Sequence, residues 1–228
     1  MHDLVLIPGL GSDAAVWSRT IAELDGDAQC VVGDTLQDAS LAAMARRILD
    51  ESPAKFTLAG VSMGGMVALE IMRRAPGRVT GLAIFDSNPF PDTPREAEQR
   101  RRTIAAMQAG VDLRSAGEES LAWLVHPDAD AAIKREIVEM GVRVGAEAYA
   151  RQVEAVLQRA DQRPILATIG VPTLVAHGAD DAMIPVGCAQ AMHAAIPRST
   201  LEIIPNCGHL PPIERPRVVA GLLRNLIE

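Results

Sequence analysis

Four apolar residues in succession, Leu4-Val5-Leu6-Ile7, open the chain and stop at Pro8-Gly9. A run without polar alternation reads as a short strand buried on both faces, and Pro-Gly ends it. Further strands are expected at 29–32, 55–61, 79–85, 173–176 and 201–204. Between them the apolar spacing becomes helical. Ser40 opens a stretch in which Leu41, Met44, Ala45, Ile48 and Leu49 fall on one stripe. Residues 63–74 are apolar almost all round until Arg73, the mark of a helix packed on a sheet. Further helices are expected near 186–195 and near 216–227, the latter with Val219, Leu222, Leu223 and Leu226 on one face. Strands alternating with helices in this way imply an α/β fold, a mostly parallel sheet flanked by helices.

Between Asn88 and about Gln162 the texture changes. Thr93-Pro94-Arg95-Glu96 is a capping box with proline at the first helical position. Helical stretches follow near 115–125, 129–140 and 146–160, punctuated by Pro127, Gly141 and Gly145, with no strand-like run among them. The expected organisation is a core made of residues 1–87 and 164–228, carrying an all-helical insertion at 88–163. Arg100-Arg101-Arg102 lies behind Glu96 and Glu98 and reads as a solvated helix face.

Composition narrows the function classes. A length of 228 residues suits one domain with an insertion, and 48% hydrophobic residues suffice for a sizeable core. The net charge of −7 argues against binding a phosphate backbone, and 3% aromatic residues argue against base stacking. No partner nucleic acid or membrane is expected. No stretch approaches the ~20 apolar residues of a membrane span, and Met1-His2-Asp3 lacks the basic start of an export signal. Cys30, Cys188 and Cys207 are odd in number and scattered, which suits neither a disulfide framework nor a zinc site and points to the cytoplasm. The sequence carries no Gly-rich dinucleotide fingerprint and calls for no metal or cofactor.

The chemistry concentrates in three places. Gly60-Val61-Ser62-Met63-Gly64-Gly65 sits where the third expected strand meets the helix starting at Met63. At such a sharp turn the serine hydroxyl is exposed, the glycines let neighbouring backbone close in, and the Met63 amide lies at a helix N-terminus suited to anionic charge. A serine needs a base to take its proton. His209 is the best placed of five histidines, directly after the last strand and so at the carboxyl edge where sites of open α/β sheets gather. His177 reads as a packed histidine at a strand end, and His2, His126 and His193 as surface or packing residues. The imidazole in turn needs an acceptor for its other nitrogen. Asp180 and Asp181, just beyond a strand, and Asp86, after another, are the candidates. The order Ser62, Asp181, His209 is that of the nucleophile-elbow enzymes.

Four segments together resemble the α/β-hydrolase fold superfamily, and the resemblance runs nearly end to end. Leu6-Ile7-Pro8-Gly9-Leu10-Gly11-Ser12 with Trp17 is similar to the family's loop after its third strand, with Pro8 where histidine is common. The chain thus opens at what the family counts as its third strand, a minimal core. Gly60–Gly64 resembles the nucleophile elbow. Gly178-Ala179-Asp180-Asp181 before Ile184-Pro185 resembles the acid loop, whose acid is the fourth residue from the glycine, and this selects Asp181 over Asp180. Gly208-His209 before Glu214 and Pro216 resembles the histidine loop. The resemblance further implies a second oxyanion donor in the Leu10 amide, beside that of Met63, and a variable helical cap in the 88–163 segment.

The reaction so implied is acyl transfer on a small ester, lactone or thioester by Ser62, with His209 as base, Asp181 behind it, and no metal or cofactor. Two other readings use the same residues: a ligand receptor or partner-binding module with slow or absent turnover, and a cofactor-free lyase or perhydrolase. Phe90, Met107, Trp123, Met140 and Ile184 read as hydrophobes of the core rather than as site residues.

Overall fold

The structure, a computed structural model, describes residues 2–227. Among the described residues, six strands form one parallel sheet: β1 (His2–Ile7), β2 (Ala28–Val32), β3 (Phe56–Val61), β4 (Val79–Phe85), β5 (Thr173–Gly178) and β6 (Ser199–Ile204). Their order is β2-β1-β3-β4-β5-β6. The helices are α1 (Ala15–Leu24), α2 (Leu41–Glu51), α3 (Met63–Arg74), α4 (Pro94–Gln108), α5 (Leu113–Leu124), α6 (Ala131–Leu157), α7 (Arg163–Leu166), α8 (Gly187–Ala195), α9 (Pro211–Glu214) and α10 (Pro216–Ile227).

The unbroken apolar strands are explained by cover on both faces. Val5, Ile7, Leu58, Leu82, Ile84 and Val175 point to one side, against Leu41, Met44 and Ile48 of α2, the apolar body of α3, and Met192 of α8. Leu4, Leu6, Ala59, Val61, Ala83, Phe85 and Ala176 point to the other, against Val16, Trp17 and Leu24 of α1 and Val219 and Leu223 of α10. The period of two along each strand assigns neighbours to opposite cores. A wholly buried side chain such as Leu58 contributes roughly 2 kcal/mol of transfer free energy, so each face is a substantial driving force.

Some elements differ from expectation. Helix α1 lies in a stretch with no clear apolar stripe, because one of its four buried positions is Thr20, whose hydroxyl donates to the Pro212 carbonyl at 2.8 Å. The expected break at 141–145 narrows to a single point: α6 runs through Gly141 and kinks at Gly145, where φ is 77°. The capping box at Thr93 forms, with the Glu96 amide donating to the Thr93 hydroxyl and the Thr93 amide to the Glu96 carboxylate.

The strand order turns on β1. The chain steps from β1 out to β2, then returns to the other side of β1 as β3, and all later strands add on that side. At such a reversal the connections leave in opposite directions and open a crevice at the carboxyl ends of the two strands. Ile7, at the end of β1, is in register with Gly60 of β3, so the loop after β1 and the turn after β3 share that crevice.

Candidate active site

Ser62 follows β3 and precedes α3 with φ 55° and ψ −119°, outside the regions open to an ordinary side chain. Backbone contacts hold it there: its amide donates to the Phe85 carbonyl at 2.9 Å, and its carbonyl accepts from the Gly65 amide at 3.0 Å and the Ser87 hydroxyl at 2.8 Å. A methyl group at Gly60 would overlap the Gly64 carbonyl, and one at Gly64 would overlap the Ile7 carbonyl. The glycines at both positions are therefore demanded by close backbone approach. Met63 begins α3, and its N–H is one of the first-turn donors that a helix leaves unused. The loop after β1 lies alongside, close enough that a methyl group at Gly9 would stand 3.3 Å from the Ser62 Cβ. Gly9, next to Leu10, and Met63, next in the chain, therefore approach Ser62 from two sides.

His209 lies in the loop between β6 and α9 and is 2% exposed. Its Nε2 is 2.8 Å from the Ser62 Oγ, and its Nδ1 is 2.8 Å from the Asp181 Oδ2. The tautomer with its proton on Nδ1 donates to the carboxylate and leaves Nε2 to accept from the serine. Asp181 sits beyond β5, and its other oxygen accepts from the amides of Met183 (2.7 Å) and Ile184 (3.1 Å). Burial alone would push this carboxyl up. The hydrogen bond and charge of His209, with the two amides, outweigh burial and lower it below its ordinary value. The carboxylate behind His209 is thus ionised and oriented. Asp180, the neighbouring candidate, is exposed, with its carboxylate 3.8 Å from His126 Nε2.

Asp86, the third candidate, belongs to the same cluster and lies beside Asp181. One oxygen each from Asp86 and Asp181 and a ring nitrogen of His209 lie within 4.8 Å of one another. Asp86 has no exposure, accepts from the Gly178 amide at 2.8 Å through Oδ1, and leaves Oδ2 unpartnered. Burial first, and the Asp181 charge second, push its carboxyl well above the usual carboxylate range. His177 is packed at the end of β5, its Nε2 donating to the Ile184 carbonyl at 3.0 Å, and burial lowers its pKa. Burial pushes the Cys207 thiol up, away from the reactive thiolate.

Glu214, which the resemblance places in the histidine loop without a role, is the device that holds that loop. The Glu214 carboxylate, 4% exposed, accepts from three backbone amides: Gly208 at 3.2 Å, Leu210 at 3.2 Å and His126 at 2.8 Å. The first two amides flank His209, and the third belongs to the segment after α5. The His209 amide in turn donates to the Leu124 carbonyl at 3.0 Å. The available signal was a charge at the end of an otherwise apolar Leu210-Pro211-Pro212-Ile213 run. A carboxylate in such a place needs donors, and the nearest are loop amides.

A serine strained at a strand-to-helix turn, reached by an imidazole that a carboxylate orients, invites comparison with known proteins. Residues 4–222 match the model of the alpha/beta hydrolase family. The pimeloyl-[acyl-carrier protein] methyl ester esterase of Nitrosomonas europaea is 28% identical over 92% of this chain and 89% of its own. A thermophilic esterase from Thermogutta terrifontis, in its malate-bound structure, superposes with a TM-score of 0.88 at 28% identity, over 99% of this chain and 89% of its own. The enol-lactonase of Burkholderia xenovorans LB400 superposes at 0.85 with 19% identity, over 99% and 91%, a likeness of fold alone. The crevice opened by the strand reversal, the turn that strains Ser62 and a match over nearly the whole chain have one common explanation: this protein belongs to the alpha/beta hydrolase family.

Proposed function

We propose that the protein is a serine hydrolase that cleaves small esters by acyl transfer, with Ser62 as nucleophile, His209 as general base and acid, and Asp181 as the group that orients His209. The observation that carries this reading is the continuous chain Asp181 Oδ2–His209–Ser62 Oγ, 2.8 Å at each step. His209 Nε2 accepts the serine proton as Oγ attacks the ester carbonyl. Asp181 stabilises the imidazolium so formed. The amides of Leu10 and Met63 donate to the oxyanion, each worth about 10²–10³ in rate. His209 then protonates the departing alcohol. Water attacks the acyl-serine by the same steps in reverse.

The choice of esters over other acyl compounds is supported by the two esterases at 28% identity. The 88–163 segment, built of α4, α5 and α6, is read as a cap over the site. Support for this comes from the Leu124 carbonyl and the His126 amide, both bonded into the histidine loop. The expected setting is the cytoplasm, in keeping with the free thiols of Cys30, Cys188 and Cys207. Among the described residues, no helix is long and apolar enough to cross a membrane.

The test is turnover of short p-nitrophenyl and methyl esters by the wild-type protein and by Ser62→Ala. The expected result is a Ser62-dependent rate, with a fluorophosphonate adduct on Ser62 in peptide mass spectra. Equal rates for the two proteins, with no adduct at that residue, overturn the reading.

A further inference from the structure

The loop after β1 is held by a residue far along the chain. Gln152 of α6, wholly buried, directs its Oε1 at the Gly11 amide, 2.8 Å away. Its Nε2 donates to Thr35, which is itself 1% exposed, with the carbonyl at 3.4 Å and the hydroxyl at 3.3 Å. The same helix grips the neighbouring backbone at further points. Arg151 donates to the Leu36 carbonyl at 3.0 Å, and Arg143 pairs with Asp13 at 2.9 Å. The Tyr149 ring lies against Gly11, where an added Cβ would stand 2.9 Å from it.

The geometry of the loop shows what the glutamine bond decides. The Ser12 amide donates to the Gly9 carbonyl at 3.2 Å, with Leu10 and Gly11 between them and Gly11 at φ +71°. That is a type II turn. Types I and II differ in which way the central peptide faces, and here the central peptide joins Leu10 to Gly11. Glycine adopts either sign of φ at little cost, so the turn sequence does not itself choose. The Gln152 Oε1 does, because it is aimed at the N–H of that peptide. A flip would bring the Leu10 carbonyl against the Gln152 oxygen and strip the half-buried Gly11 N–H of its acceptor. Leaving such a group unpaired is strongly unfavourable.

We propose that Gln152 is a positioning residue for the oxyanion hole: by tying the Gly11 N–H to the wholly buried Gln152–Thr35 pair it anchors the Gly9–Ser12 turn as a unit, and so fixes where that turn presents the Leu10 N–H, the donor assigned above to this side of Ser62. The proposal rests on the hydrolase reading above. It touches no reacting atom and acts through the loop. It also makes α6 a support of the transition state, so that a helix outside the sheet bears on the chemical step.

The experiment compares Gln152→Met, which keeps the volume and removes both polar contacts, with Gln152→Glu, which keeps an acceptor for the Gly11 amide. Rates on p-nitrophenyl acetate are taken per active site, counted by fluorophosphonate titration, and thermal midpoints establish folding. For Gln152→Met we expect kcat to fall about 10–100-fold, a fraction of what a lost oxyanion donor costs, with KM within about twofold of wild type. Affinity for a trifluoromethyl ketone, which forms a tetrahedral adduct on the serine, should fall with kcat/KM. Gln152→Glu should recover a third or more of the wild-type kcat. If Gln152→Met does not fold, Gln152→Asn, which withdraws the acceptor but keeps a buried amide, is judged by the same criteria. A folded Gln152→Met with kcat within threefold of wild type overturns the proposal alone, as do equal losses in the Met and Glu variants. A wild-type protein with no Ser62-dependent turnover overturns the hydrolase reading and this proposal with it.

Discussion

Asp86 and Asp181 stand at the ends of the adjacent strands β4 and β5, and their surroundings push the two carboxyls in opposite directions. Asp181 is held below its ordinary pKa by His209, while Asp86 is held well above by burial and by the Asp181 charge. Two carboxylates in one dry cluster cannot both ionise cheaply, and their surroundings decide which does. Asp86 is pushed up because burial outweighs its one backbone donor, the Gly178 amide.

Asp86→Asn should therefore raise stability at neutral pH. A carboxyl whose folded-state pKa is raised binds more protons folded than unfolded, so it costs stability as pH climbs above the unfolded value of about 4. Asparagine keeps the acceptor for Gly178, tolerates the Asp86 φ of 44°, and has no proton to lose. Thermal midpoints measured from pH 4 to pH 8 should show the variant level with wild type at the acid end and above it at pH 7 and higher. Turnover should stay within about threefold. A lower midpoint at pH 7, or the loss of activity, would mean that Asp86 is the ionised partner.

Glu214→Ala strips three buried amides of their acceptor at once. Each hydrogen bond to a charged group is worth about 1.5–3 kcal/mol, and the effects overlap, so a loss on the order of 3 kcal/mol is expected in urea unfolding. Activity should fall further than the folded fraction does, because the Gly208 and Leu210 amides flank His209. Glu214→Gln, which keeps one acceptor oxygen, should lie between. An Ala variant with full kcat and a small stability loss would show that α9 and the segment after α5 hold the loop unaided.

What could be read from the chain follows from how each feature is encoded. The inner strands β1, β3, β4 and β5 were legible because cover on both faces leaves an apolar run that no solvated element needs. Ser62 was legible because its glycines fall at fixed offsets around one turn, Gly60 forced by the Gly64 carbonyl and Gly64 by the Ile7 carbonyl of β1. Helix α1 was not, since Thr20 interrupts its stripe and earns its buried place only through the distant Pro212 carbonyl. Gln152 was illegible for the same reason. It lies one turn after Ala148 on the buried face of α6, yet a glutamine there reads as solvated until Gly11 and Thr35 supply its partners. Polar residues satisfied across more than 100 positions leave no local pattern.

Gly64→Ala should abolish activity with a modest effect on global fold. The added methyl collides with the Ile7 carbonyl, so β1 and the start of α3 must separate, and that contact joins the loop carrying Leu10 to the turn carrying Ser62. Shifts below 1 Å at these amides are enough to lose most of the oxyanion stabilisation. The expected result is a fall in kcat of about 10³-fold or more, with a far-ultraviolet circular dichroism spectrum like that of wild type. A variant retaining a tenth of wild-type kcat would show that the crevice can widen at no catalytic cost.

The assignment of the acid rests on contrasting neighbours. Asp181 has no exposed side-chain surface and accepts from His209 and two amides, whereas Asp180 is exposed and meets only His126, at 3.8 Å. Asp181→Asn would offer an amide where His209 Nδ1 needs an acceptor, which favours the tautomer with its proton on Nε2. That tautomer cannot take the proton of Ser62. In serine proteases the equivalent change costs about 10⁴ in kcat while the geometry survives. Asp86 beside it, pushed up by burial, is a weak substitute, so a loss of about 10³–10⁴ is expected here, against less than threefold for Asp180→Asn. Because the tautomer is wrong rather than the fold, raising the pH should not rescue Asp181→Asn, and KM should change little. Equal effects at the two positions would move the acid role away from Asp181, and a residual rate lost only in the double variant Asp86→Asn/Asp181→Asn would assign it to Asp86.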